Sequence, residues 1–201
     1  MTNFKDNRND TLAVYQVQQS KGYVDVATFG GLAIAVASGT SAHAAISTAA
    51  VITTAITNPD IARVPRIVGA GADHDATGNV VIIGKDVRGN TVSQSIALNS
   101  NTAVDGTKAI KSMTSIDTTG VTGLDATATV TVGYGVAIGL GRLQTFIAPL
   151  VSTTDGVADT LPTITKSSTD ISLNTVTFAT APNASHVYSL TYVTQDLYAG
   201  V

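Results

Sequence analysis

The sequence predicts an all-β protein: an antiparallel β-sandwich of immunoglobulin-like or jelly-roll-like type, carrying an extended N-terminal arm. Three observations lead there. Thr, Ser, Ala, Val and Gly dominate the 201 residues, glutamate is missing, and Lys and Arg are sparse, a mixture that favours strands and turns over helices. Residues 79–116 read as three successive strands joined by recognisable turns. Elsewhere the chain breaks into short β-branched runs separated by Gly, Pro, Asn and Asp, giving about eight to ten strands, as in a sandwich or barrel. With 44% hydrophobic residues, a chain of this length can bury roughly two-thirds of its extended surface. One core with an extension is expected: residues 1–45 as the arm and 46–201 as the sandwich.

Residues 1–45 hold no sustained strand or helix period. The run 11–18 (TLAVYQVQ) alternates briefly, residues 23–28 make another short strand, and Gly30-Gly31 and Ser38-Gly39-Thr40 interrupt the remainder of the segment. An arm reaching neighbouring subunits, or an extended hairpin, fits this pattern. The alternative is a helix through 32–50, where alanine is abundant, although Gly39, Thr40 and Ser41 weaken its middle.

Residues 46–57 (ISTAAVITTAIT) read as a strand entering the turn Asn58-Pro59-Asp60, in which the proline biases Asn58 to an extended conformation. In residues 62–68 (ARVPRIV), Pro65 has no N–H for a ladder, so this piece belongs at an edge or a bulge. The glycine-rich link 69–78 leads into the central meander. There Val80, Val81, Ile82 and Ile83 run together, which suits a strand covered on both faces. Residues 86–90 (DVRGN) form a turn, with Gly89 free to take positive φ and Asp86 or Asn90 able to bond back to the backbone.

Residues 91–98 then alternate, Val92, Gln94, Ile96 and Leu98 on one face and Thr91, Ser93 and Ser95 on the other, the pattern of a half-buried antiparallel strand. After a polar loop, residues 108–116 alternate again, Ile110, Ser112, Thr114 and Ile116 sharing a face. A loop over 117–125 precedes ATATVTV, which puts Ala126, Ala128, Val130 and Val132 on one face. Gly133, Gly135, Gly139 and Gly141 punctuate the next piece, and residues 143–151 make another strand. Beyond the polar stretch 152–160, residues 171–178 and 186–193 are expected to form a final hairpin, with Tyr188, Leu190 and Tyr192 sharing a face.

Composition excludes several functions. Eleven basic residues against fourteen acidic ones give a net charge of −3, and without a basic cluster there is no electrostatic footprint for nucleic acid. The absence of cysteine excludes a disulfide framework and thiolate metal sites. The opening MTNFKDNRND lacks the basic start and apolar core of a secretory signal. The longest apolar run, 32–37, falls far short of the roughly 20 residues of a membrane-spanning helix, so no membrane association is expected.

Each candidate site has a simpler structural reading. Asp73, Asp75, Thr77 and Gly78 imitate the opening of a calcium loop, but the position for the bidentate carboxylate is Gly84 and the flanks read as strand; an Asx-rich turn fits better. The glycines from Gly133 to Gly141 lack the dinucleotide fingerprint and a following helix, so a kinked strand is expected. His43, His74 and His186 have no metal-ligand spacing. No serine lies in G-x-S-x-G. Asn183-Ala184-Ser185 is a formal glycosylation acceptor that reads as a hairpin loop. Tyr188 and Tyr192 offer a sugar-stacking strip or, more simply, core. No catalytic, cofactor-binding or metal-binding residue is assigned.

The run ITNPDIARVPRIVGAG, followed by GNVVIIGKDVRGNTVSQSIALNSNTAVDGTKAIKSMTSID, resembles a recurrent pattern in structural proteins of tailed bacteriophages. There an NPD-x-PR element leads to a G-N-V hairpin, a G-N-x-[VI]-[ST]-[EQ]-x-I strand and a G-T-K-A-[FI]-K-x-[MV]-T-S-I strand. ATATVTVGYGVAIGLG resembles the next strand in those proteins, and NTVTFATAPNASHVYSLTYV a β-hairpin of virion proteins. This sequence departs from the pattern in placing Ile61-Ala62 before Arg63-Val64, so that Pro65-Arg66 is the matching pair. The resemblance implies a non-enzymatic virion structural protein, a capsid decoration or cement protein that stabilises the head by bridging capsid subunits. A collar, head–tail connector or tail component is the alternative, and a glycan-binding β-sandwich module a more remote one. The implied partners are the major capsid protein or other virion proteins and further copies of the chain, as a trimer or similar homo-oligomer. The implied location is the virion, assembled in the host bacterial cytoplasm.

Overall fold

The computed structural model describes residues 17–19, 22–33, 36–71, 76–141 and 144–196. These are nearly all β: fifteen strands, numbered in chain order, and a single 3-10 turn, Ile171–Leu173. The strands form three antiparallel sheets. The central sheet runs β13 (Thr163–Thr165), β14 (Thr175–Thr177), β10 (Ala128–Gly139), β4 (Arg63–Gly71) and β7 (Val104–Asp105). A second sheet runs β3 (Val51–Ile52), β8 (Ser112–Asp117), β5 (Thr77–Lys85) and β6 (Thr91–Ala97), with β9 (Val121–Thr122) on the start of β5. The third runs β1 (Val17–Gln19), β2 (Gly22–Ala33), β15 (Val187–Asp196), β11 (Gln144–Thr154) and β12 (Val157–Ala158).

Two hydrophobic clusters hold these sheets together, and β10 serves both. Its first half contributes Val130, Val132 and Tyr134 to a core with Ile67 of β4, Val80 and Ile82 of β5, Val92 and Ile96 of β6, and Ile110, Met113 and Ile116. Its far end contributes Ile138 to a second core with Leu140, Val176, Phe178, Tyr188, Leu190 and Tyr192. The switch falls where the β4–β10 ladder loses register, between Tyr134↔Pro65 and Ile138↔Arg63. Pro65 therefore lies at the irregularity its missing N–H requires. The glycines of β10 keep one strand continuous among close neighbours: a Cβ on Gly133 would stand 2.3 Å from the Thr40 carbonyl oxygen, and one on Gly139 2.7 Å from the Ala109 Cβ.

The first hairpin of the expected meander closes as read, but its third strand returns to the other side of the first: β8 pairs with β5 and not with β6, so the order is β8-β5-β6. β5 pairs with β6 from Asn79↔Ala97 to Lys85↔Thr91. In the turn, Gly89 has φ +84°, and the Asp86 carboxylate accepts from the backbone N–H groups of Arg88 (2.7 Å) and Asn90 (2.9 Å). In β6 the buried residues are Val92, Gln94 and Ile96. In β5, Val80 and Ile82 are buried while Val81 and Ile83 are half-buried, so the expected cover on the second face is partial.

Four further expectations need correction. In the strand expected over 108–116, the alternation breaks, because β8 skips a residue against β5: Ile83 faces Ser115 but Gly84 faces Met113. The bulge turns Met113 inward and leaves Thr114 exposed, its hydroxyl on the Ile83 carbonyl (3.2 Å). Residues 46–57 form only the two-residue β3. Ile46 is drawn off to bridge Val130, and Ala55, at φ +55°, turns the chain away so that Thr57 N–H reaches the Ala42 carbonyl (2.7 Å). The expected final hairpin is divided between sheets, since β14 pairs with β10 and β13 whereas β15 pairs with β2 and β11. The polar stretch 152–160 holds a tight hairpin, β11 to β12, whose turn residues Asp155 (φ +54°) and Gly156 (φ +77°) both have positive φ, as a type I′ turn requires.

Within the segment read as an arm, β1 and β2 form a hairpin and β2 pairs with β15 of the same chain from Val24↔Gln195 to Ala33↔Val187. Residues 36–50 hold no helix.

Candidate functional site

The residues that carry the sequence pattern converge on one place, where the lead-in to β4 of the central sheet meets the lead-in to β8 of the second sheet. Asn58 accepts the Met113 N–H on its side-chain oxygen (2.7 Å), and the Lys111 ammonium donates to the Asp60 carbonyl. Arg63 and Ile110 exchange both backbone hydrogen bonds, at 3.0 and 2.8 Å. Gly106 N–H donates to the Pro65 carbonyl (2.7 Å). Each contact ties the 58–66 stretch to the 104–113 stretch, so the backbone groups of a segment that also buries Ala62, Arg63 and Val64 are satisfied at the joint.

Gln94 completes the joint from β6. Its amide oxygen accepts from Thr107 N–H (3.1 Å) and Lys108 N–H (3.2 Å), while its amide nitrogen donates to the Lys108 carbonyl (2.9 Å). A Cβ on Gly106 would stand 2.4 Å from that amide oxygen. The sequence places Gln94 correctly on the buried face but gives no sign of its partners, which lie thirteen and fourteen residues on.

Arg63 is the largest fully buried side chain among the described residues. Its guanidinium donates to the Gly135 carbonyl through Nε (3.1 Å) and to the Val36 carbonyl through Nη1 (2.7 Å). Burial lowers its pKa, against the opposing pull of Asp60. Charge-assisted bonds to carbonyls offset the cost of a buried cation, and the β4–β10 register break exposes the Gly135 carbonyl for this purpose. No sequence signal marked Arg63 as buried; a cation in a strand reads as solvent-facing.

A polar cleft of about 290 Å³ opens beside the joint, between the β5–β6 turn and the 3-10 turn, with Asp86, Arg88, Lys108 and Asp170 in its lining. Its carboxylates are engaged in structure. Asp86 holds its own turn, and Asp170 accepts from Ser172 N–H (3.0 Å) and pairs with Lys108 (3.1 Å). Burial pushes the Asp170 pKa up, but hydrogen bonds from Ser172 and Lys108 outweigh it and hold the group below its ordinary value.

The other candidates do not assemble. Asp73, His74 and Asp75 lie outside the described residues. Thr77 and Gly78 belong to β5, where Gly78 (φ +117°) is pressed against the Gly120 carbonyl. His43 is half-buried, its Nδ1 bonded to the Ala44 carbonyl (2.8 Å), and His186 pairs with Asp155 (2.6 Å) at the β11–β12 turn. Among the described residues no three His, Cys, Asp or Glu side chains are grouped to hold a metal ion. The Asn183 side-chain oxygen accepts from Ser185 and His186 N–H groups, an Asx-type cap on the loop. Tyr188 and Tyr192 are buried, the Tyr188 ring 4.8 Å from Phe178, so they are core and offer no stacking surface. Among the described residues the exposed large apolar side chains are Val51, Val87, Val151, Val157 and Leu161. No described helix is long and apolar enough to cross a membrane. No protein-family model matches the chain, and neither a curated protein nor a solved structure matches it.

Proposed function

We propose that the chain is a non-enzymatic structural protein of a tailed-bacteriophage virion, a capsid decoration or cement protein that strengthens the head by bridging capsid subunits. Its partners are the major capsid protein and further copies of itself; nucleic acid and membranes are not among them. The observation that supports this reading is the placement of the phage-like pattern: Asn58, Asp60 and Lys111 tie the lead-in to β4 against the start of β8, and Pro65 and Gly106 extend the β4–β7 ladder. A pattern whose polar residues are consumed in holding sheets together describes a scaffold, and a scaffold presenting strand edges suits assembly.

Mass spectrometry of purified virions tests the proposal. A copy number comparable with the major capsid protein is expected. A few copies per particle would instead assign a collar, connector or tail role, and complete absence from particles would sink the virion reading.

A further inference from the structure

We propose that the N-terminal unit of this chain, β1, β2 and residues 36–46, is exchanged between two copies, each copy's unit docking on β10 and β15 of the other. The inference rests on the self-association in the proposed function and gives that association its contacts.

Residues 36–46 are seated in a groove along β10. β14 pairs with β10 only at Ile138 and Gly139, which leaves the edge of its first half to this segment. Gly39 N–H donates to the Tyr134 carbonyl (2.7 Å), Tyr134 N–H to the Thr40 carbonyl (3.2 Å) and Ala42 N–H to the Val132 carbonyl (2.7 Å), while Ile46 and Val130 exchange both bonds at 2.8 and 2.9 Å. Ala42 and Ile46 are buried in the main core, and the Arg63 guanidinium donates to the Val36 carbonyl (2.7 Å). An empty groove would leave the backbone groups of Val130, Val132 and Tyr134 unpaired and take from the buried Arg63 one of its acceptors, so an occupant is required. The structure shows which sequence fits, and every copy of the chain carries it.

The hinge favours exchange. Ile46 lies beside β10 of the central sheet and Val51 beside β8 of the second, so the chain changes sheets across residues 47–50. Ser47, Thr48 and Ala49 are exposed and take part in no hydrogen bond among the described residues; bonding resumes at Ala50, which is held by Thr118. The β-branched composition of residues 46–57 calls for an extended chain, yet closing the segment on its own β10 interrupts the strand at these residues. Local preference and global path are then in conflict. Exchange removes the conflict: the hinge straightens, and residues 42–52 run as one extended stretch from the neighbour's β10 to the chain's own β8. Every docking contact is kept in the exchanged pair, so a short hinge that prefers to be extended decides the balance.

The test exploits the absence of cysteine. Ile46 and Val130 are a bridged antiparallel pair, and hydrogen-bonded partners of this kind stand about 5.5 Å apart at Cα, within disulfide range. An Ile46→Cys chain and a Val130→Cys chain, co-expressed with tags of different size, are expected to give a disulfide-linked heterodimer on a non-reducing gel, and neither chain alone a cross-link. Independently of any core substitution, sedimentation should show the wild-type chain as a dimer. Inserting Gly-Ser-Gly between Thr48 and Ala49 lets the chain turn back on itself, and should raise the dissociation constant at least tenfold, equivalent to about 1.4 kcal/mol. A monomeric wild-type chain, an insertion that leaves the dimer unchanged, or an intramolecular link in the double variant with no heterodimer from the co-expressed chains would overturn the inference. Each of these outcomes leaves the virion role to be decided separately by the particle copy number.

Discussion

Asp105 of β7 reaches two strands at once. Its carboxylate takes Nε and Nη2 of Arg66 in a two-point pair, at 2.5 and 3.0 Å, and it fills the space a side chain on Gly135 would need, since a Cβ there would stand 2.7 Å from the carboxylate carbon. The hydrogen bond to Asp105 raises the Arg66 pKa. Both side chains are about a quarter exposed, so the pair is partly shielded from solvent. Asp105→Ala is expected to cost about 1–2 kcal/mol, and Gly135→Ala a similar amount because it displaces the same carboxylate. The double variant should cost clearly less than the two together, as contacting sites do; additive losses in denaturant unfolding would show that the two residues act independently.

Gly84 and Gly89 make a controlled comparison, five residues apart in one hairpin. A Cβ on Gly84 would stand 2.3 Å from the Ser112 carbonyl oxygen and 2.5 Å from the Ile110 side chain, whereas Gly89 at φ +84° has open space around it. Gly84→Ala must push β8 off β5 and should cost about 3 kcal/mol or more. Gly89→Ala meets only the left-handed backbone and should cost about 1 kcal/mol. Equal losses in urea unfolding would contradict the bulge geometry.

The two faces of β5 should respond differently to truncation. Ile82 is fully buried in the main core, so Ile82→Ala is expected to lower stability by about 3–4 kcal/mol. Val81, half-buried on the opposite face, should lose no more than about 1 kcal/mol on change to Ala. Thermal melts of the two variants decide the matter.

Tyr134 sets an alkaline limit. Burial pushes its phenol up to about 12, against the Arg63 charge, which acts the other way. Below the ordinary phenol value of about 10 the ring is neutral folded or unfolded, and the full contribution to stability is present. Between about 10 and 12 the unfolded chain ionises while the folded one holds its proton, so stability falls as pH rises through that window. Tyr134→Phe should flatten this fall. At neutral pH it should cost about 1 kcal/mol for the lost hydrogen bond from the hydroxyl to the Thr57 carbonyl. An unchanged slope in melts taken across the alkaline range would place the limiting group elsewhere.

The features legible in the sequence are local ones. Alternation in residues 91–98 placed Val92, Gln94 and Ile96 on the buried face, the DVRGN turn closed as its Asp and Gly require, and the ATATVTV run became the inner half of β10. These features depend on side-chain period and turn chemistry within a few residues, which a sequence displays directly. Tertiary contacts settled the rest, because the deciding partners are far away in the chain. A β-branched run at 46–57 yields only two strand residues because Ile46 is bonded to Val130 and Thr57 to Ala42. The bulge at Gly84 reverses the inward parity between Ser112 and Met113. Residues 175–177 and 187–196, neighbours in sequence, pair in different sheets because β10 and β2 offer them longer-range ladders. Arg63 is buried because a register break in β10 presents a free carbonyl to its guanidinium, a circumstance that no periodicity in residues 62–68 records.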